Sequence, residues 1–261
     1  LTAYYNDWLV NLVIMALIII GGIGFIVWDD IYRNKWHVRK YLLQTKVVLL
    51  TTGIMVFGGA FLFYLLERNA LIADMSISGK ILTSLFSSVT ARTAGFNTVD
   101  TQALSDGSKL LTMILMFIGG CPGSTAGGVK TTTIMVLLLY VHSNVKRTYS
   151  INIFGRRLEE EAVKRAGAIC TINLALALSV ALAIMAIQPL SLTDTLFEAF
   201  SAIGTAGMTT GITRDLLPVS RLLITFLMYC GRIGSMSFAL AFTQKKRMTH
   251  VKNPVEAISV G

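Results

Sequence analysis

Long apolar stretches alternate with short polar connections along this chain, and two of the apolar stretches are too short to match the others. Residues 8–27 form a nearly unbroken apolar run in which Asn11 is the polar exception. Twenty helical residues rising about 1.5 Å each cross a hydrocarbon core of about 30 Å, so the run reads as a membrane span. Tyr4, Tyr5 and Trp8 flank one end and Trp28 the other, as interfacial aromatic residues do. Gly21-Gly22-Ile23-Gly24 inside it reads as a close-packing surface for a neighbouring helix. Residues 29–46 read as an amphipathic piece at the cytoplasmic interface, and residues 47–66 as a second span. Residues 81–90 are apolar but too short to cross, with Ser78 as the expected N-cap. Residues 109–140 are too long for one straight span, at about 48 Å. Residues 166–187 predict another span, residues 195–203 a second short helix, and residues 220–242 a last span.

Each short helix runs into the same small-residue turn. Thr93, Ala94, Gly95 and Phe96 follow the first, and Thr205, Ala206, Gly207 and Met208 follow the second. A shift of 112 residues superposes the turns without a gap and carries the match onward: Leu104, Ser108, Leu115, Met116 and Gly119 fall on Leu216, Ser220, Leu227, Met228 and Gly231. The expected unit is span, re-entrant pore helix, turn, span, repeated in the same orientation about an axis along the membrane normal. Irregular backbone at membrane depth is tolerated where it is enclosed by protein or lines a watery path. The turns are therefore expected to line such a path, with backbone carbonyls as cation ligands.

The over-long stretch carries its own explanation. Gly119-Gly120-Cys121-Pro122-Gly123-Ser124-Thr125-Ala126-Gly127-Gly128 sits in its middle. Gly costs about 1 kcal/mol and Pro about 3 kcal/mol inside a helix, so two half-helices joined by a loop are expected.

Composition agrees with this pattern. The chain has 261 residues, of which 54% are hydrophobic and 14% charged, against about 25% charged in soluble domains. The net charge of +9 does not indicate nucleic acid, because the basic residues gather in particular connections. Residues 28–46, 141–165 and 243–261 hold five, six and four of the 23 Lys and Arg, which places them on the cytoplasmic side. Cys121, Cys170 and Cys230 have no metal-ligand spacing and read as small buried hydrophobes. Lys130 after Gly127-Gly128 departs from a phosphate-binding loop, because Val129 separates Gly from Lys. His37, His142 and His250 are isolated, and no catalytic constellation is visible, so an enzyme is not expected. A membrane scaffold is the remote alternative.

At Thr90-Ala91-Arg92-Thr93-Ala94-Gly95-Phe96-Asn97-Thr98, at Ser124-Thr125-Ala126-Gly127-Gly128-Val129-Lys130, at Gly204-Thr205-Ala206-Gly207-Met208 and at Gly231-Arg232-Ile233-Gly234, the sequence resembles the Trk/Ktr/HKT superfamily of potassium transporters, most closely its bacterial KtrB-like membrane subunits. The resemblance implies an all-α polytopic membrane protein of the cell membrane, built of units like a K⁺ channel subunit repeated in one chain. It implies that residues 1–46 close a preceding repeat and add an interfacial segment, with further sequence expected before Leu1. Residues 47–145 would be the third unit with its broken inner helix, 146–165 a cytoplasmic linker, 166–242 the fourth unit and 243–261 a cytoplasmic tail. It implies K⁺ selection at residues 93–96 and 205–208, a gate at residues 119–128, and a pathway charge at Arg232. It further implies a homodimer on a cytosolic nucleotide-binding ring of RCK type (KtrA-like), with nucleotide only on that partner and Na⁺ as a possible activator. A Trk-type or Na⁺-permeable relative is the alternative. Met208 stands where an aliphatic such as Leu is common in the family. Arg92 and Glu198, beside the short helices, are expected to be pairing or capping groups.

Overall fold

The structure, a computed structural model, describes residues 1–35, 37–148 and 150–234. Helix α1 (Trp8–Ile23) is capped by Asp7, whose side chain accepts the Val10 N–H at 3.1 Å. Asn11, 1% exposed, donates to the carbonyls of Tyr4 and Asp7, both at 2.7 Å, which satisfies the polar group in the apolar run. The run does not continue as one straight span to Val27. It breaks at Gly24, and α2 (Phe25–Asn34) leaves at 94° to α1. The physical cause is local: Gly24 has φ +97°, and a Cβ there would lie 2.6 Å from the Pro122 carbonyl oxygen.

The second span begins at α3 (Leu43–Gly53), passes through a wide π turn (Ile54–Gly58) and continues as α4 (Gly59–Glu67). Together these residues form one of two helices long and apolar enough to cross a membrane, the other being α8 (Glu160–Ile187). The wide turn has a partner, since Ser88 Oγ donates to the Met55 carbonyl at 2.9 Å. Glu67 ends α4 fully buried and accepts from Ser105 N–H at 2.9 Å, Ser105 Oγ at 2.7 Å and Leu71 N–H at 3.2 Å.

Helix α5 (Ile77–Thr90) starts earlier than residue 81, because Ser76 rather than Ser78 is the N-cap and accepts the Gly79 N–H at 3.1 Å. Ser78 instead accepts from Trp8 Nε1 at 2.8 Å. At 14 residues α5 is about 21 Å long, too short to cross. It packs between α1 and α4 through Met15, Val56, Leu82, Phe86 and Val89. Helix α6 (Asp106–Phe117) and helix α7 (Thr131–Val145) are the two halves of the over-long stretch. The loop between them closes through Gly119 N–H to Val129 O at 2.9 Å and Thr131 N–H to Gly120 O at 3.0 Å. A two-residue hairpin, β1 (Asn152–Ile153) with β2 (Arg156–Arg157), precedes α8, which begins at Glu160 rather than at residue 166. Helix α9 (Leu192–Ile203) is again short, and α10 (Pro218–Ile233) follows with Pro at its first turn. Ala177, Ile184, Ala199, Ile203 and Leu227 form the core where α8, α9 and α10 meet. Of the expected last span, residues 235–242 lie outside the described residues, as do the 243–261 tail and His250.

Candidate functional site: two facing turns and the loop behind them

Both turns leave the C-terminal end of a short helix, and both have the same backbone signature. Thr93 has φ +65° and Gly95 +75°, while Thr205 has φ +52° and Gly207 +79°. Ala94 and Ala206, between them, stay out of the positive region. A β-branched residue at positive φ is a steric outlier, and a left-handed residue costs about 1–2 kcal/mol. The same outlier at equivalent positions of two turns means that the surroundings impose it. Part of that imposition is visible: Thr90 Oγ1 donates to Phe96 O at 2.6 Å, and Ser201 Oγ donates to Met208 O at 2.6 Å. In each turn a hydroxyl of the preceding helix thus holds the carbonyl of the residue after Gly.

The turns face each other closely. A Cβ on Gly95 would stand 2.6 Å from Ala206 O and 3.2 Å from Gly207 O. Gly207 has nothing within 4 Å of its Cβ position and is exposed, beside a cavity of about 620 Å³ lined by Glu198, Ser201, Thr205, Thr209 and Thr213. Glu198, 5% exposed, accepts from the hydroxyls of Thr209 and, at 2.8 Å, Thr213. Its partners are hydroxyls, and it fixes the segment beyond the second turn.

The broken-helix loop lies against the second turn. A Cβ on Gly127 would meet Thr205 Oγ1 at 2.2 Å, and one on Gly128 would meet Gly204 Cα at 3.1 Å. Gly128 N–H donates to Gly231 O at 3.2 Å, and Arg232 Nη1 donates to Thr125 O. Arg232, expected from sequence to lie on the pathway, is thus an exposed residue in the last turn of α10 bonded to the loop. Lys130 Nζ turns back to Ala126 O. Within the loop, Gly119, Gly120, Cys121, Ala126 and Gly127 are buried, Gly123 and Thr125 are exposed, and Pro122, Ser124 and Gly128 are between. Cys121 accepts from Thr131 Oγ1 at 3.2 Å and lies against the Arg92 guanidinium. Arg92 is 5% exposed, and its Nε and Nη2 have no hydrogen-bond partner among the described residues, so it is not the paired group its sequence position suggested.

Sequence reasoning missed one side of this arrangement. The glycines at the end of α1 bond to the loop: Cys121 N–H donates to Gly22 O at 2.9 Å, and Phe25 N–H donates to Gly123 O at 3.0 Å. The signal was the dense glycine run at 21–24, which suits contact with backbone as well as with a helix.

Residues 2–250 match the family model of TrkH, described as a cation transport protein. The chain belongs to the TrkH family. It is 40% identical to the potassium/sodium uptake protein NtpJ of Enterococcus hirae over 96% of this chain and 57% of that protein. It is 32% identical to the Ktr system potassium uptake protein B of Bacillus subtilis, over 100% of this chain and 59% of that protein. The chain thus spans little more than half the length of these TrkH-family relatives. The crystal structure of the potassium transporter TrkH from Vibrio parahaemolyticus superposes with a TM-score of 0.74 at 20% identity, covering 89% of this chain and 52% of that one. That match shows the TrkH fold. The family is one of cation transport rather than catalysis.

Proposed function

We propose that this chain forms part of a K⁺ path across the cell membrane, selecting at residues 93–96 and 205–208 and closed by the loop at residues 119–128. The observation that carries the reading is the paired positive φ at Thr93 and Gly95 and at Thr205 and Gly207. Alternating the sign of φ along a short stretch lets successive carbonyls face one axis instead of opposite sides. Carbonyls so aimed replace the water shell of a cation. The partly negative C-terminal ends of α5 and α9 favour a cation at the same place. In this reading Arg232 is a charge on the path that also holds the loop in place. By analogy with the Ktr-system relative, the protein works as a homodimer on a cytosolic RCK-type ring that carries the nucleotide. The units are parallel repeats in a multi-pass cell-membrane protein, with residues 141–165 and 243–261 facing the cytoplasm. Na⁺ passage or Na⁺ activation is a second reading, favoured by the potassium/sodium name of the Enterococcus relative.

The test is K⁺ and Na⁺ flux through the full-length protein in liposomes. Gly95→Ser and Gly207→Ser are expected to reduce the K⁺ over Na⁺ ratio by about ten-fold, one misplaced carbonyl being worth about 1.4 kcal/mol. Unchanged ratios in both variants would remove the selecting role from the turns.

A further inference from the structure

The loop is held from two sides, and only one of them, the end of α10, contains a charge. The other is the break between α1 and α2. A helix leaves its last carbonyls and first N–H groups without intrahelical partners, so a break inside an apolar run exposes both kinds at once. Here the loop satisfies them. Gly22 O accepts from Cys121 N–H at 2.9 Å, and Gly21 O accepts from Thr125 N–H at 3.4 Å and from Thr125 Oγ1 at 3.2 Å. In the opposite sense, the first N–H of α2, that of Phe25, donates to Gly123 O at 3.0 Å. Gly24 between them cannot be another residue without a cost in both respects, since its φ is +97° and its Cβ position is 2.6 Å from Pro122 O. The contact is backbone to backbone, so a shift of α2 cannot be absorbed by a side-chain rotamer.

Helix α2 is placed to transmit such a shift. It stands at 94° to α1, and Phe25 and Tyr32 on it are 73% and 84% exposed. At its middle, Asp30 accepts the Leu42 N–H at 2.9 Å, which ties it to the start of α3.

We propose that Gly24 and the Phe25 amide are positioning groups for the barrier to ion passage, anchoring the loop so that displacement of α2 releases it. The proposal rests on the loop at residues 119–128 being that barrier.

The experiment measures K⁺ efflux from liposomes holding the full-length protein with no cytosolic partner added. Phe25→Pro removes the N–H at a first helical position, where Pro is otherwise tolerated, and Phe25→Ala keeps the N–H while removing the ring. Efflux through F25P is expected to exceed that through F25A by about five-fold, the worth of one such bond. The K⁺ over Na⁺ ratio should stay as in the parent, and the gain should vanish in a background lacking residues 122–125. Gly24→Ala is expected to act in the same direction. If deletion of residues 122–125 raises efflux while F25P and G24A do not exceed F25A and the parent, the anchor is overturned and the barrier reading stands. If that deletion leaves efflux unchanged, the barrier reading fails and the anchor with it. Amide exchange on the unsubstituted protein gives an arm independent of folding defects. The Phe25 and Cys121 amides are expected to open with one common rate, and independent opening overturns the proposal.

Discussion

Single glycines govern how closely the backbones approach near the turns. A Cβ on Gly231 would lie 2.1 Å from Ile203 O and 2.9 Å from Ile203 C, and the obstacle is backbone that cannot rotate away. Gly231→Ala should therefore lower stability by about 1–3 kcal/mol, as overpacking does, in thermal unfolding of the detergent-solubilised protein. Gly167 sits in α8 with nothing within 4 Å, and Gly167→Ala should instead raise stability by up to about 1 kcal/mol. The two cases look alike in the sequence, which records that a position is glycine but not what faces it. The turns were legible because Thr-Ala-Gly occurs twice at one spacing, each time after a helix too short to cross. The burial of Arg92 against Cys121 was not, because it joins residues 29 apart whose local contexts give no sign of each other.

Among the elements, the junction of α2 with α3 is a polar construction at the edge of the apolar mass. The Asp30 carboxylate is buried, and that burial alone would raise its pKa. Hydrogen bonds from Thr45, the Leu42 N–H and Asn34, with the charge of Lys46 nearby, outweigh burial and hold it below the usual aspartate value. A carboxylate also suits the positive N-terminal end of α3. A depressed pKa contributes stability that is present above the unfolded-state value and lost as pH falls through the folded one. Thermal midpoints should thus drop on acidification below the ordinary aspartate range. Asp30→Asn should lower the midpoint at neutral pH and weaken that acid dependence. Sequence placed residues 29–46 correctly as a polar interruption, yet it could not show that α1 ends at Gly24 rather than running to Val27. Hydropathy alone does not distinguish a helix that continues from one that turns by 94° without leaving apolar surroundings. The break of the α6–α7 stretch was legible for the opposite reason, since its glycines and proline exceed what any helix interior tolerates.

At the scale of the molecule, two helix ends grip one loop, and the loop in turn backs one of two facing turns. The ends of α1 and α10 reach it from different parts of the chain, through Gly22 and Gly21 on one side and Gly231 and Arg232 on the other. The grip depends on every helix presenting the correct face, and the wide turn at Ile54–Gly58 is where that orientation is adjusted. A π turn holds one residue more than an α turn, so α4 is out of step with α3 by about 100° relative to an uninterrupted helix. Its length is therefore as informative as its composition. Removing Phe57, which is 70% exposed and packs against nothing essential to the core clusters, should give a smoother helix and a worse protein. Glu67 would swing by about 100° away from Ser105, carrying an unneutralised charge out of its hydroxyl and amide shell. The expected outcome is loss of the monodisperse species in size-exclusion chromatography, whereas Phe57→Ala keeps it. For a gene of this kind, substitutions along Ile54–Gly58 are tolerable drift, while a single lost codon is a change of phase for everything downstream.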